Sequence, residues 1–389
     1  MSTKLRYLTA GESHGKGLIL VIEGIPSGVF LEEGYILREL ERRRKGYGRG
    51  ERMRIEKDKV RIISGVRWGK TLGSPISLFI PNIDWKNWKN IMSPRKVQVE
   101  DYTPFTRPRP GHADLVGGIK YNFSDLRNTL ERASARETAA RVAAGAICKR
   151  VLEEFGIKVF SRTVQIGRER DKTPLEVVLA HYEKIEASLL RCFDEDAEKS
   201  MISLIEEAKK RGDSLGGIFE VIITGLPPGL GSYIQWDLKL DARIAYALMS
   251  IQAIVGVEIG AGFEGATFFG SEFQDEIAYD KERGFYRLTN RAGGIEGGMT
   301  TGEPILVRAA MKPISTLRKP LKSVDILTKS VVEAGWERSD VCAVPSASVV
   351  AEAVCSVEIL RAMREKFGGD SLEEMKKNYS GYLEYVKKR

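Results

Sequence analysis

Residues 11–15 read GESHG and place a carboxylate, a hydroxyl and an imidazole side by side between two glycines. An imidazole ordinarily exchanges protons near neutral pH, so a histidine in such a loop can act as an acid or a base. The chain contains only three histidines, His14, His112 and His181. The pattern indicates acid–base chemistry at His14, and a purely structural turn is the alternative.

The second histidine lies in the segment TPFTRPRPGHADLVGG at 103–118. Arg107 and Arg109 supply positive charge for an anion, and three prolines reduce the conformational entropy of the loop. This combination favours a preorganised site at His112, although a turn or a helix cap would explain Asp114 equally well. His181 lies in VVLAHYEKI, a helix-like sequence without such neighbours, and we expect it to be structural.

A basic, glycine-rich segment at 42–54 reads RRRKGYGRGERMR. Its glycines allow the backbone to fold closely around a ligand, and arginine side chains match phosphate and carboxylate groups. Its arginines, Arg43 and Arg49 among them, are therefore candidate anion ligands. The alternative is a solvated helix end, where basic residues complement the helix dipole.

Four more segments combine charge or glycine with helix starts and turns: RASARETAARVAAG (132–145), NRAGGIEGGMTTGEP (290–304), KPIST (312–316) and ERSDVCAVPSASVVAEA (337–353). The first can bind an anion at a helix N-terminus, and the second can bring backbone amides against a flat or charged ligand. Helix capping, surface charge and a bulged hairpin are the alternatives.

The elements that must position these loops mix strands and helices without regular alternation. Short apolar or β-branched runs predict antiparallel strands at 18–23, 60–64, 76–80, 158–166, 218–225 and 305–309. Helical periodicity or composition predicts helices at 34–44, 130–155, 174–211, 348–367 and 371–388. We therefore predict a single α+β domain over residues 1–389, with helices packed against antiparallel sheets.

Composition restricts the function classes. The chain has 389 residues and a formal net charge of +8, which favours anionic partners. It has no uninterrupted apolar run of about 18 residues and no signal-peptide pattern, so we expect a cytoplasmic protein without a membrane partner. Its four cysteines are widely spaced, and we expect them to be reduced and buried, with no metal site.

The order of the motifs resembles the chorismate synthase family nearly from end to end. The matching segments are GESHGKGLILVIEGIPSG, RRRKGYGRG, RPGHAD, RASARETAARVAAGA, SIQAIVGVEIG, GGIEGGMTTGEP, KPIST and RSDVCAVPSASVVAEA. The resemblance implies a β-α-β sandwich with central helices between antiparallel sheets, and assembly as a homotetramer.

The resemblance also implies the reaction. Members of this family convert 5-enolpyruvylshikimate 3-phosphate to chorismate by an anti-1,4-elimination of phosphate and the C6 proton. They need reduced FMN (FMNH2), although the reaction has no net redox change, and NADPH is a candidate reductant for the flavin. Substrate and cofactor are both anions, which gives the basic, glycine-rich loops a common task.

Roles follow by matching motifs. The resemblance implies that His14 protonates or hydrogen-bonds the departing phosphate and that His112 maintains the protonation state of the reduced flavin. Asp340 would lie beside the flavin N5, the atom thought to take the C6 proton. Arg43 and Arg49 would bind the substrate phosphate or NADP. The implied flavin contacts are Arg132, Ala133, Ser134, Gln252, Ala253, Gly297, Lys312, Pro313, Ile314, Ser315, Thr316 and Arg338.

Two other functions remain open from the residues alone. A nucleic-acid-binding protein could use the basic stretch 38–67, but a recognisable nucleic-acid motif is missing and acidic residues are interspersed, so we expect no nucleic-acid partner. An NADPH-dependent flavin reductase could use the same anion-binding loops. A GxGxxG fingerprint does not follow a strand here, which counts against one type of dinucleotide fold only.

Overall fold

The computed structural model describes residues 5–50, 58–97, 99–100, 102–337 and 340–389. Arg338 and the end of the basic segment, Arg52 and Arg54, lie outside the described residues.

The strands are β1 (Arg6–Ala10), β2 (Gly17–Glu23), β3 (Arg61–Ser64), β4 (Val66–Arg67), β5 (Lys70–Thr71), β6 (Ile76–Pro81), β7 (Lys158–Ile166), β8 (Glu169–Arg170), β9 (Gly217–Thr224), β10 (Ile254–Ile259), β11 (Ile277–Asp280), β12 (Gly284–Arg287), β13 (Ile295–Glu296), β14 (Met299–Thr300), β15 (Ile305–Met311), β16 (Lys322–Val324) and β17 (Val331–Glu333). The six strands predicted from sequence are confirmed.

The α-helices are α1 (Glu33–Arg44), α2 (Trp85–Trp88), α3 (Asp114–Tyr121), α4 (Arg127–Ala133), α5 (Thr138–Glu153), α6 (Leu175–Ala180), α7 (Lys184–Ala187), α8 (Glu195–Arg211), α9 (Leu240–Met249), α10 (Gly262–Gly265), α11 (Gly270–Phe273), α12 (Val344–Phe367) and α13 (Leu372–Lys387). Short 3-10 turns span Ala135–Glu137 and Trp236–Leu238.

Two larger sheets organise the chain. The first has the strand order β1-β2-β6-β3 and the second has β10-β15-β9-β7-β8, and all pairs within them are antiparallel. Alternation along β2 shows how the sequence selects a face: Leu18, Leu20 and Ile22 are buried, whereas Ile19 and Val21 are exposed. The predicted antiparallel sheets are confirmed.

Helices α5 and α12 pack against each other, with α5 on β1 and β2 and α12 on β7 and β9. Small residues allow their backbones to approach closely. A Cβ atom placed on Gly145 of α5 would lie 2.3 Å from the Cα of Ala353 in α12, so the crossing requires glycine there. Residues of both sheets and both helices share one continuous buried core. The fold therefore mixes helix and sheet, as predicted.

Two of the predicted helices are interrupted. The helix predicted at 130–155 breaks at Ser134, which is extended (φ −61°, ψ 140°) and accepts a hydrogen bond from the backbone N–H of Arg136. Serine competes with the helix in this way because its hydroxyl can cap the following turn. The break separates α4 from α5, with the 3-10 turn Ala135–Glu137 between them.

The helix predicted at 174–211 is wrong as a single element, because it forms three helices, α6, α7 and α8. Ser188 is extended after α7 and its Oγ accepts hydrogen bonds from the N–H groups of Leu190 and Cys192. Asp194 then caps α8 by accepting from Ala197 N–H at 2.7 Å. His181 is exposed and directly follows α6, so its predicted position inside a helix is also wrong.

Among the strands of the two larger sheets, β1, β8 and β10 were not predicted from the sequence. Strand β1 has no fully buried residue, so it lacks the apolar alternation that marks a strand, and β10 contains Gly256 at a register shift. All four cysteines are buried and free, as predicted. Across the described part of the chain, no helix has the length and apolar character needed to cross a membrane, and no group of three or more side chains is arranged to hold a metal.

Candidate active site

A cavity of about 410 Å³ lies where the start of α3, the turn before α5, the loop after β15 and the start of α12 meet. This volume is within the range of small-molecule sites, about 300–1,000 Å³. The predicted site residues that line it are Arg43, Arg49, His112, Ala133, Ser134, Gln252, Ala253, Lys312, Ile314, Ser315, Thr316 and Asp340. The fold therefore brings motifs from distant parts of the chain together in one cavity wall.

The charged side chains around this cavity are mostly cationic. They are Arg43, Arg49, Arg109, Arg136, Lys312, Glu337 and Asp340. Such a wall suits a ligand with several negative groups, because guanidinium and ammonium groups form charge-assisted hydrogen bonds with phosphate and carboxylate.

Arg49 and Asp340 form an ion pair in the cavity wall. Arg49 Nη1 lies 2.8 Å from Asp340 Oδ2, and the backbone N–H of Gly50 donates to Asp340 Oδ1 at 2.6 Å. The basic loop after α1 is thereby fixed to the segment before α12. The motif-based assignments gave these two residues separate tasks, and the structure couples them.

The arginines of the 42–54 segment differ in what they contact. Arg42 donates to both carboxylate oxygens of Glu352 at 2.8 Å, and Arg43 donates from Nε to Thr138 Oγ1 at 2.9 Å. Burial by itself raises the pKa of Glu352, but the charges of Arg42, Lys149 and other neighbouring cations outweigh it and lower that pKa. The solvated helix end considered for this segment is therefore wrong for Arg42 and Arg43.

His112 lies in the cavity wall and is held by a buried carboxylate. Its Nδ1 donates to Asp114 Oδ1 at 2.6 Å, and Asp114 also accepts from Arg109 Nε at 2.8 Å. Arg109 Nη1 donates to Thr316 Oγ1 at 2.9 Å, which ties this loop to KPIST. Burial alone would raise the pKa of Asp114, but hydrogen bonds from His112 and Arg109 hold it well below its usual range.

The KPIST loop is also fixed by its lysine. Lys312 Nζ donates to the carbonyl of Gly111 at 2.8 Å, and Lys312 N–H donates to the carbonyl of Ala253 at 2.9 Å. Ala253 has a positive φ of 66°, an uncommon conformation for a residue with a Cβ. The three loops that line this side of the cavity are therefore held in one arrangement.

His14 is not in the cavity wall, although its neighbour Ser13 is. His14 Nδ1 donates to Glu131 Oε1 at 2.8 Å, and its backbone N–H donates to Glu131 Oε2 at 2.7 Å. The imidazole ring lies against Trp88, with 4.1 Å between ring centroids, and the residue is 7% exposed. Trp88 therefore covers the histidine that the sequence placed at a ligand.

Local geometry explains how GESHG reaches this position. Gly11 has φ +107°, and a Cβ there would lie 2.3 Å from the carbonyl oxygen of Gly17, so a side chain does not fit. Asn82 donates to the carbonyls of Glu12 and Gly15, and its own side-chain oxygen accepts from Arg136 Nε. A buried hydrogen-bond network thus connects the loop to the turn before α5.

Three other predicted site residues lie outside the cavity wall. Arg132 donates to the carbonyls of Gly11 and Thr9 at 3.1 and 3.0 Å, so it fastens β1 to the GESHG loop. Gly297 forms the turn between β13 and β14 with φ +56°, and Pro313 does not line the cavity although the residues on both sides of it do.

Glu131 and Trp88 were not among the residues predicted from the sequence, and Asp114 was predicted only as a turn or cap residue. The contact between Asp114 and His112 could have been predicted, because Asp114 follows His112 by two residues in RPGHAD. Glu131 and Trp88 are 117 and 74 positions from His14 and no local motif connects them.

Comparisons with known proteins agree with the motif order. The family described as chorismate synthase matches residues 5–363. The chain is 56% identical to the chorismate synthase of Aquifex aeolicus over 391 residues, covering 98% of each sequence, and 57% identical to that of Geotalea daltonii over 389 residues, covering 98% of this chain and 99% of the relative. A crystal structure of chorismate synthase superposes with a TM-score of 0.81 at 47% identity, covering 99% of both chains.

Proposed function

The chain belongs to the chorismate synthase family of carbon–oxygen lyases, and we propose that it eliminates phosphate from 5-enolpyruvylshikimate 3-phosphate in the 410 Å³ cavity. The composition of the cavity wall supports this assignment. Arginine and lysine residues predominate among its charged residues, and His112 and Asp340 also line it. A substrate with one phosphate and two carboxylates matches that charge, and the two titratable groups are suited to moving a proton.

The residues present also fit a flavin. The side-chain oxygen of Gln252 is buried without a hydrogen-bond partner among the described residues, and Gln252 lines the cavity. A buried amide oxygen is costly to leave unpaired, and the N–H groups of a flavin ring can satisfy it. Ala133, Ser134, Ala253 and the 312–316 loop would hold the remainder, with Arg132, Gly297 and Arg338 as further family-derived contacts.

Reduced FMN, when bound, supplies electron density to the reacting substrate and recovers it, so that no net oxidation results. The chain's own groups do the rest. Arg49 neutralises negative charge on the leaving phosphate. Arg43 contributes positive charge to the same wall for substrate or NADP.

Proton handling is divided among three side chains in this proposal. His112 maintains the protonation state of the reduced flavin, and Asp340 assists removal of the C6 proton. His14 protonates or hydrogen-bonds the departing phosphate, which requires that the Trp88 ring move off it or that Ser13 and Ser134 bridge the distance. Ser13 and Ser134 both line the cavity, and their hydroxyl oxygens lie 3.2 Å apart.

We further propose that residues 1–389 form one domain, a β-α-β sandwich, assembled as a cytoplasmic homotetramer. The shared core of both sheets supports the single domain. Exposed apolar side chains on the outer face of the first sheet, Leu8, Ile19 and Val21, support self-association, because β1 and β2 bring Leu8 opposite Val21. Light scattering of the purified chain tests the tetramer, and a monomeric mass would contradict it.

An anaerobic assay tests the activity. The enzyme, chemically reduced FMN and the enolpyruvyl substrate are mixed, and phosphate and chorismate are followed together. We expect equal amounts of both products and many turnovers per flavin without stoichiometric NADPH consumption. Product formation that tracks NADPH oxidation one for one would instead indicate a reductase-type use of the cavity.

A further inference from the structure

Asp114 is the most thoroughly bonded carboxylate at the cavity. It is fully buried at the first position of α3 and accepts four hydrogen bonds: from His112 Nδ1 at 2.6 Å, from Arg109 Nε at 2.8 Å, and from Arg109 Nη2 and the Arg109 backbone N–H, both at 3.1 Å. A carboxylate with this many donors stays ionised at neutral pH. It is therefore an acceptor only, and each of its partners must supply a hydrogen.

This requirement determines which ring nitrogen of His112 carries hydrogen. Because Nδ1 faces an ionised carboxylate at 2.6 Å, Nδ1 must be protonated, and a neutral His112 then has its lone pair on Nε2. The other charged neighbours are the Arg109 guanidinium, whose Nη2 lies 3.1 Å from Nδ1 and 3.4 Å from Nε2, and Lys312, which is bonded to Gly111. Both are cations and neither can accept a hydrogen from the ring.

Asp114 also determines where the ring points. Arg109 is held at both of its ends, by Asp114 and by Thr316 Oγ1, and both Arg109 and Thr316 line the cavity. Asp114 itself does not line the cavity. Its influence on a bound ligand is therefore exerted through His112 and Arg109.

We propose that Asp114 is a positioning residue that fixes His112, a residue of the cavity wall, as the Nδ1–H tautomer with its lone pair on Nε2, and that it orients Arg109 in the same wall. This inference rests on the proposed function only in taking the cavity as the site of reaction. It predicts that loss of the carboxylate changes the tautomer of His112 in the resting enzyme as well as the turnover.

The test is Asp114→Asn in the full-length chain labelled with 15N-histidine. The amide has nearly the shape of the carboxylate but can donate a hydrogen, so it can make Nδ1 an acceptor and shift hydrogen to Nε2. The 15N chemical shifts report the tautomer directly, and the signal missing in His112→Ala identifies the ring. We expect the Nδ1–H tautomer in the unaltered chain, the Nε2–H tautomer in Asp114→Asn, and a kcat lower by about 10²-fold, with a smaller change in KM.

Asp171→Asn is the matched control. Asp171 is also a buried aspartate, 2% exposed, and it accepts from the backbone N–H groups of Thr173 and Phe193 away from the 410 Å³ cavity. It should lower stability without altering the His112 tautomer or kcat. If Asp114→Asn does not fold, the unaltered chain still decides the matter, because an Nε2–H tautomer there would overturn the proposal.

The outcomes separate this inference from the proposed function. If His112→Ala turns over normally, the catalytic role given to His112 under the proposed function is wrong. If His112→Ala is impaired but Asp114→Asn keeps both the original tautomer and the original kcat, the positioning role of Asp114 is wrong.

Discussion

His14 and His112 are held by the same kind of hydrogen bond, but only His112 lines the cavity. In each, ring Nδ1 donates to a buried carboxylate, Glu131 for His14 and Asp114 for His112. His112 then forms part of the cavity wall, whereas the ring of His14 lies against Trp88. A carboxylate partner therefore fixes an imidazole without deciding whether it can reach a ligand.

The elements behind each histidine explain the difference. Asp114 and Arg109 belong to the same loop and helix start as His112, so the residues that hold the ring come from its own segment and His112 stays in the cavity wall. Glu131 lies on α4 and accepts from Arg127 at 3.1 Å, and the Arg127 guanidinium is 5.0 Å from the Trp88 ring. The His14 ring is therefore enclosed by a carboxylate and an indole that share one cation.

The largest expected effect compares the histidines directly. Replacing either His112 or His14 with alanine should slow turnover by about 10²–10⁴-fold if each is a positioned acid or base. Steady-state rates with reduced FMN measure this. His181→Ala is the control, because His181 is exposed and does not line the cavity. A normal rate in His14→Ala alone would show that the enclosed histidine is structural.

The affinity for a phosphorylated ligand tests whether the cavity wall that contains His112 binds anions. Arg49→Ala should weaken binding of a phosphorylated ligand by about 1.5–3 kcal/mol, because it removes a charge-assisted hydrogen bond and leaves Asp340 in the wall. Arg49→Lys should recover only part of this, since lysine lacks the planar fork. Calorimetric titration measures the affinity.

Arg168→Ala is the matched control for that titration. The side chain of Arg168 is 75% exposed and pairs with Glu169 at the surface. If Arg49→Ala and Arg168→Ala bind the phosphorylated ligand with equal affinity, Arg49 does not bind the ligand and its role is structural.

Acid stability should distinguish the two carboxylates. Burial raises the pKa of both Glu131 and Asp114, but their histidine hydrogen bonds and neighbouring arginines lower it overall. A lowered pKa stabilises the fold above the ordinary carboxylate range, and this contribution is lost as the pH falls through the folded-state pKa. In Asp114→Asn, the free energy of unfolding should therefore fall less with decreasing pH than in the unaltered chain. The same change should be smaller in Glu131→Gln.

Denaturant unfolding from pH 7 down to pH 2 measures that difference, because the contribution is lost only below the ordinary carboxylate range. Asp196→Asn is a suitable control, because Asp196 is a fully exposed surface residue paired with Lys199. A pH dependence that is unchanged in Asp114→Asn would mean that its hydrogen bonds do not stabilise the folded state.

The smallest expected effect concerns the cover over His14. Trp88→Ala should make the His14 ring accessible and increase its rate of modification by diethyl pyrocarbonate, with no increase for His112. Peptide mapping by mass spectrometry gives both rates from one sample. Trp85→Ala on the same short helix is the control, because the ring contact with His14 is made by Trp88. Equal His14 reactivity in both variants would show that Trp88 does not limit access.

Much of the fold follows from local sequence. The strands with apolar runs and the helices α1, α12 and α13 were predictable because burial patterns and end signals are local. Helix breaks at Ser134 and Ser188 were missed because a serine hydroxyl can either face solvent or cap a turn, and the surrounding packing decides between the two.

The sequence by itself determined which side chains the chain has for chemistry: two histidines in glycine-containing loops, a basic loop, and motifs in the order of one enzyme family. Only the tertiary structure decided that Arg49 pairs with Asp340, that Glu131 holds His14, and that Trp88 covers it. The physical reason is separation along the chain. Residues tens to hundreds of positions apart interact only after both sheets have packed around α5 and α12, and no short-range pattern records the contact.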